Sequence, residues 1–234
     1  MTRYAMVIDL QKCGGCGSCI IACKNENNLT EDIAWSSKIN KTSGTFPNVK
    51  YEYLPTLCNH CENAPCVEVC PTTAMHKIEG DITMHDPDKC RGCKKCMRAC
   101  LYGVIFFNDK KPHNSWNDNQ ETIRDCTSSP VETARTVGEI PPYYNPDRAE
   151  TLPGIRPIGV VEKCTLCDHR VKHNLKPYCV ERCPARGRVF GDLDDPASNV
   201  NQLLAKYSYF RLREEEGTEP KVFYIRSFSH SGHV

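Results

Sequence analysis

The sequence lacks a long apolar run. No stretch approaches the 18 residues that a membrane-crossing helix requires, so no direct membrane span is expected. An excess of either charge is also missing. There are 30 Lys and Arg against 29 Asp and Glu, a formal net charge of +1, and no basic surplus of the kind that nucleic-acid binding needs. Hydrophobic residues are 39%, aromatic residues 8%, and the mean hydropathy is −0.53. A length of 234 residues allows one or two domains but not a large catalytic body as well. Nor is there room for a cleavable secretory signal. Cys13 arrives after MTRYAMVIDLQK, and Cys16, Cys19 and Cys23 follow at once, so the chain is expected to carry no export signal of its own.

What the chain has in abundance is cysteine, 17 residues in all. Sixteen fall into four groups of four: Cys13, Cys16, Cys19, Cys23; Cys58, Cys61, Cys66, Cys70; Cys90, Cys93, Cys96, Cys100; and Cys164, Cys167, Cys179, Cys183. The first and third read C-x2-C-x2-C-x3-C, the second C-x2-C-x4-C-x3-C, and the fourth C-x2-C-x11-C-x3-C. A tight loop that presents a thiolate every third residue wraps three corners of an iron–sulfur cube. The fourth cysteine ligates the other cluster of a two-cluster ferredoxin. Four groups therefore predict four [4Fe–4S] clusters. Two other readings compete. Structural zinc takes C-x2-C pairs, and three thiolates in seven residues suit a tetrahedral ion poorly. Disulfides suit small secreted domains, bridge badly between neighbours two residues apart, and leave an odd cysteine over.

The groups repeat. KCGGCGSCIIAC at 12–23 and KCRGCKKCMRAC at 89–100 share one pattern, and PCVEVCP at 65–71 shares another with YCVERCP at 178–184, giving an A-B-A-B order. The second and third groups are the closest pair. They predict an inner ferredoxin module over 51–107, inserted into an outer one built from 1–50 and 159–195. The expected fold is α+β: two nested bacterial-type two-cluster ferredoxin modules, with an irregular insert over 108–158 and a C-terminal helix-and-strand arm over 196–234. Exchange of the fourth thiolate predicts four ligand sets. They are Cys13, Cys16, Cys19 with Cys183; Cys164, Cys167, Cys179 with Cys23; Cys58, Cys61, Cys66 with Cys100; and Cys90, Cys93, Cys96 with Cys70. Such crossing through metal couples folding to cluster binding. Cys126 lies in the insert with no second thiolate nearby and is read as a bystander.

Local expectations follow from composition. YAMVID, GVIFF, RVFGDL and KVFYIRSF read as strands. A short helix is expected from Thr72, then a hairpin turning at Glu79-Gly80-Asp81 into ITMH, and a helix in PASNVNQLLAKYS. Gly14, Gly15, Gly17 and Gly92 read either as glycines that let backbone approach cluster sulfur or as ordinary turn glycines. Pro71 and Pro184 close the two B groups as in the bacterial C-P signature. His60, His76, His85, His169 and His173 are read as surface groups or supports behind the ligands, because 16 thiolates already fill the iron sites. Four clusters at about −2 each take the holo-chain to about −7. Lys12, Lys24, Lys89, Arg91, Lys94, Lys95, Arg98, Lys163, Arg182 and Arg186 lie close to the cysteines. They either offset that charge and tune potential or form a solvated basic face.

The A-B-A-B set, with CVEVCP, CVERCP and the opening VIDLQKCGGCGSC, resembles the four-cluster iron–sulfur (beta) subunits of the dimethyl sulfoxide reductase superfamily of molybdopterin enzymes. The resemblance covers nearly the whole chain. TLCNHCENAPCVEVCP, EKCTLCDH and VFYIRSF look most like the small subunit of respiratory arsenate reductases; polysulfide, tetrathionate, thiosulfate and nitrite-linked relatives share most motifs. Leu101 stands where the family usually has Pro, which leaves Cys100 in place. The resemblance implies a non-catalytic subunit that passes single electrons between a quinol-linked cytochrome or membrane anchor and a large molybdopterin catalytic partner. It implies a heterodimer, with the Cys13/Cys183 cluster nearest the molybdenum subunit and the inner clusters on the donor side. It also implies export of the folded chain with a signal-bearing partner to the periplasm, the alternative being a cytoplasmic complex. A free-standing polyferredoxin and a zinc-stabilised interaction module remain as other function classes.

Overall fold

A computed structural model describes residues 2–30, 32–110, 119, 121, 123–138, 145 and 147–227. The largest sheet joins both ends of the described chain. Strand β1 (Tyr4–Asp9) lies between β8 (Arg188–Asp192), to which it is antiparallel, and β10 (Val222–Ile225), to which it is parallel; β9 (Tyr209–Phe210) closes the other edge, in the order β8-β1-β10-β9. The period-2 alternation of a strand sends successive side chains to opposite faces. Met6, Ile8, Val222 and Tyr224 enter a core that also contains Trp35, Cys23, Cys58, Cys164 and Cys179. Ala5, Val7, Phe223 and Ile225 face the other way, onto Val200. Val200 belongs to helix α7 (Asn199–Lys206), whose start is capped by the Ser198 hydroxyl accepting from the Asn201 amide at 3.3 Å. One face of the sheet therefore meets the cysteines and the other a helix.

The remaining elements carry or brace the cysteine loops. Helix α1 (Ser18–Asn27) follows the first group and packs against α6 (Tyr178–Glu181) in the fourth. Helix α2 (Pro65–Glu68) packs against α3 (Lys95–Ala99), pairing the second and third groups. Strands β2 (Ser36–Ser43) and β3 (Lys50–Leu57) form a hairpin, β4 (Met75–Ile78) and β5 (Ile82–His85) another, and β6 (Ile105–Asn108) pairs with β7 (Val160–Lys163) across the insert. A second core of Cys61, Ala64, Cys66, Met75, Cys96, Ile105 and Val161 lies under α2 and α3.

Several local expectations are corrected. Thr72 starts no helix; Pro65 does, at the first helical position where its missing N–H costs nothing. Pro71 and the left-handed Thr73 (φ 54°) then carry the chain into β4. The strand in GVIFF begins only at Ile105, because Gly103 turns at φ 63°. The insert is not wholly irregular. It holds helix α4 (Pro130–Val137), opened by a capping box in which the Ser129 hydroxyl accepts from the Glu132 amide at 3.3 Å and the Glu132 carboxylate from the Ser129 amide at 3.0 Å. A 3-10 turn at Asp147–Glu150 follows, and much of the rest of the insert lies outside the described residues. The strand in KVFYIRSF belongs to the body: β10 sits inside the sheet between β1 and β9, while Phe228 lies outside the described residues. The short helix α5 (Asp168–Val171) was not anticipated.

Candidate iron–sulfur sites

In the first C-x2-C of each group the second intervening residue is left-handed: Gly15 (φ 64°), His60 (φ 44°), Gly92 (φ 64°) and Leu166 (φ 58°). That conformation curls the backbone so that an amide points back at sulfur. The Gly92 amide donates to Cys90 Sγ at 3.4 Å and the Leu166 amide to Cys164 Sγ at 3.4 Å. The last cysteine of two groups receives the same contact, from the Met75 amide to Cys70 Sγ at 3.4 Å and from the Gly187 amide to Cys183 Sγ at 3.3 Å. The two A loops share a further left-handed residue before their helices, Gly17 at φ 81° and Lys94 at φ 59°.

Three cavities open between these loops. One, of about 480 Å³ counting its open mouth, is lined by Cys13, Cys16, Cys19 and Cys183 with Gly15 and Arg188. A second, of about 330 Å³, is lined by Cys23, Cys164, Cys167 and Cys179 with Trp35 and Asn27. A third, of about 370 Å³, is lined by Cys58, Cys61, Cys66 and Cys100 with Asn59 and Tyr102. Cys96 forms the centre of a fourth set: burial first, then the Cys90, Cys70 and Cys93 thiols, push its own thiol up. Among the described residues no three His, Cys, Asp or Glu side chains are gathered as a single metal ion requires. The thiols instead surround open space, which suits a polynuclear group. Cys126 is exposed and lines none of the three cavities.

The sets stand in a row. Helix α1 carries Cys19 of the first cavity and Cys23 of the second, four residues or about 6 Å apart along its axis. Cys179 and Cys183 exchange in the same way at α6. Cys58 of the third cavity and Cys164 of the second share one core, and the Cys58 thiol adds to the burial that pushes Cys164 up. Cys66/Cys70 and Cys96/Cys100 then link the third set to the fourth across α2 and α3. Cys16 is exposed at one end of the row and Cys93 at the other, whereas all four cysteines of the second set are buried.

Burial dominates the thiols. It pushes Cys164 and Cys66 up to about 12 and Cys96 up to about 11. Without metal such thiols stay protonated at neutral pH, so iron displaces protons as it binds. At the exposed end the Ser18 hydroxyl and amide hold the Cys16 thiol below its ordinary value, with Ser18 Oγ 3.3 Å from Cys16 Sγ. The Tyr102 and Thr218 hydroxyls, 2.7 Å apart, both reach the Cys61 sulfur. Four thiols per set, amides directed at sulfur and apolar walls fit [4Fe–4S] clusters.

Other singled-out residues divide between the alternatives the sequence left open. His60, His85 and His169 are buried and His76 is half-buried; only His173 is an exposed group, paired with Glu150 at 2.7 Å. His169 pairs with the buried Glu26 at 2.8 Å. No histidine lines the three cysteine cavities. Lys163 is buried and turned inward, Lys24 binds the Thr30 and Ile33 carbonyls, and Lys89, Arg91, Lys94, Lys95 and Arg98 are exposed. Sequence reasoning missed Arg188, which is 4% exposed at the start of β8. Its only sequence signal is a cation where the strand's alternation turns inward.

Known proteins are similar across the chain. A 4Fe-4S dicluster domain family matches residues 49–128 and 117–193, and a second 4Fe-4S dicluster family matches residues 12–74. An arsenate respiratory reductase iron-sulfur subunit from Shewanella sp. is 55% identical over 97% of this chain and 97% of its own length. A selenate reductase subunit from Mesobacillus selenatarsenatis is 38% identical over 95% of this chain and 72% of its own. A tetrathionate reductase subunit from Salmonella typhimurium is 33% identical over 95% and 72%. The dicluster matches and the 16 grouped cysteines account for four [4Fe–4S] clusters, and similar proteins named as iron-sulfur subunits of reductases make this a non-catalytic electron-transfer subunit. The chain belongs to the four-cluster iron–sulfur (beta) subunits of the molybdopterin oxidoreductase superfamily.

Proposed function

We propose that the chain is the electron-transfer subunit of an arsenate respiratory reductase, delivering single electrons to a large molybdopterin catalytic subunit. The observation that carries this reading is the row of four thiol sets with an exposed cysteine at each end, in a chain 55% identical to an arsenate respiratory reductase iron-sulfur subunit. The ligand sets are Cys13, Cys16, Cys19, Cys183; Cys23, Cys164, Cys167, Cys179; Cys58, Cys61, Cys66, Cys100; and Cys70, Cys90, Cys93, Cys96, held in an outer module (1–50 with 159–195) and a nested inner one (51–107) that the β2–β3 hairpin joins across residue 50. When bound, each cluster supplies a one-electron store. The protein's own residues hold the thiolates at fixed positions, exclude water from the middle sites and direct amides at sulfur.

The Cys16 end is the face for the catalytic subunit. The β2–β3 hairpin lies beside it, with Lys38 Nζ on the Gly15 carbonyl at 3.2 Å and Tyr53 Oη donating to the Cys13 carbonyl at 2.6 Å. The hairpin exposes Ile39, Phe46, Val49 and Tyr51, Phe46 by 91%. An apolar patch of this kind belongs to a permanent interface. The Cys93 end, ringed by Lys89, Arg91, Lys94, Lys95 and Arg98, faces a quinol-linked cytochrome or membrane anchor. The complex is a periplasmic heterodimer, exported folded with its signal-bearing partner.

Native anaerobic purification tests the reading. The expected result is co-purification with a large molybdenum subunit, about 16 iron per chain, and reduction of arsenate in preference to selenate, tetrathionate and dimethyl sulfoxide. A complex that reduces one of the other three and not arsenate overturns the substrate; a monomer without a partner favours a free-standing polyferredoxin.

A further inference from the structure

Two buried cations stand at the junctions of the row, and among the described residues neither has a carboxylate partner. Arg188 lines the Cys13 cavity, donates from Nη2 to Ser36 Oγ at 3.0 Å, reaches the Cys179 sulfur, and among the described residues leaves Nη1 without a hydrogen-bond partner. The thiols that act on its charge are Cys179 of the second set and Cys19 of the first. Lys163, 2% exposed, donates among the described residues only to the carbonyls of Thr83 and Cys164. Its charge acts on Cys164 of the second set and Cys66 of the third. Both sit at the inner ends of strands, Arg188 opposite Ile8 in β1 and Lys163 opposite Ile105 in β6, so the backbone holds them in place. Between the third and fourth sets the core is Met75, Ile105 and Val161, with no such cation among the described residues.

A charge buried without an opposite charge is strongly unfavourable. Carbonyls and a hydroxyl do not neutralise these two, whereas thiolate-bound clusters on either side do. We propose that Arg188 and Lys163 are the fixed counter-cations of the electron path, Arg188 shared by the Cys13 and Cys23 sets and Lys163 by the Cys23 and Cys58 sets. The Cys23 set is the one both cations touch. Its four cysteines are buried, and burial alone disfavours the extra negative charge of a reduced cluster. The two cations offset that penalty, keeping the second site reducible between its neighbours. The inference rests on the four-cluster assignment above.

The test is a mediated redox titration, followed by electron paramagnetic resonance, of the anaerobically purified complex. Wild type is compared with Lys163→Met, Arg188→Met, Lys163→Arg and Arg188→Lys. Attraction between unit charges a few ångströms apart, at the effective dielectric of a protein interior, exceeds a tenfold change in an equilibrium constant. For one electron tenfold is about 59 mV. Each Met variant is expected to lower two of the four midpoint potentials by at least that tenfold. One potential falls in both variants and one in neither; the charge-keeping variants stay near wild type. Potentials that do not move, or four that move together, overturn the cation role while leaving the cluster assignment intact. A wild type in which this chain does not supply four one-electron transitions and about 16 iron, counted apart from the centres of the large subunit, overturns the assignment itself. If the Met variants fail to assemble clusters, normal iron in Lys163→Arg and Arg188→Lys supports the role. Failure of all four variants overturns it, because shape and not charge is then what the junction requires.

Discussion

Gly14 and Gly15 look alike in the sequence, yet only one is conformationally demanding. Gly14 has open space where a Cβ would go and no positive φ, while Gly15 and Gly92 are left-handed at φ 64°. A Cβ on Gly92 falls 2.3 Å from the Gly159 carbonyl oxygen. Gly92→Ala should therefore cost more than the roughly 1–2 kcal/mol of a left-handed alanine. It should lower the melting temperature and the iron content, whereas Gly14→Ala leaves both unchanged. Equal behaviour of the two variants refutes the assignment. The crossing of thiolates is tested at the same scale. Cys183→Ser should disturb one cluster, the one that Cys13, Cys16 and Cys19 hold, removing up to about a quarter of the iron. Loss of the Cys164 cluster instead means the crossing is wrong. The cysteines were legible because ligand chemistry tolerates no substitute at those spacings. Arg188 was not, because a buried cation looks like any surface arginine until its strand is placed.

Among the elements, β10 carries the largest surprise. VFYI is as apolar as an interior strand, but its partner lies more than 200 residues away in β1 and pairs with it in parallel. All four residues are buried, and they serve both faces of the sheet. A chain ending at Lys221 strips β1 of one neighbour and uncovers the packing on both faces of the sheet. It should express as insoluble or iron-poor protein, where loss of a peripheral arm leaves cluster content near wild type; iron and absorbance per chain decide. The β2–β3 hairpin and helix α4 were not expected from the sequence. SSKINKTS is polar but for Ile39, its register coming from pairing with KYEYLPTL. The α4 start did carry a readable signal, Ser129 with Glu132, hidden in a Pro- and Asn-rich context.

At the scale of the molecule the cysteine sets and the sheet depend on each other. Both main cores contain cysteines, so the space that clusters fill lies inside the hydrophobic packing. Anaerobic chelation of iron should therefore collapse the fold cooperatively. Far-ultraviolet dichroism is expected to fall in step with visible absorbance; retention of full secondary structure after iron loss shows that the polypeptide core suffices. The row of sites also explains the modest apolar fraction of 39%, since metal and sulfur take the place of part of a conventional core.

The amino-acid order alone determined the grouping of the thiols, the A-B-A-B repeat, the β-rich flanks of the loops and the family, because ligand spacing is a local property of the chain. Tertiary structure decided the rest. It set the thiol sets in a row exposed at both ends, buried three of the five singled-out histidines, drew the C-terminal strand into the sheet and placed two unpaired cations at the junctions. Those features depend on which distant segments share an interior, and no short-range pattern specifies that.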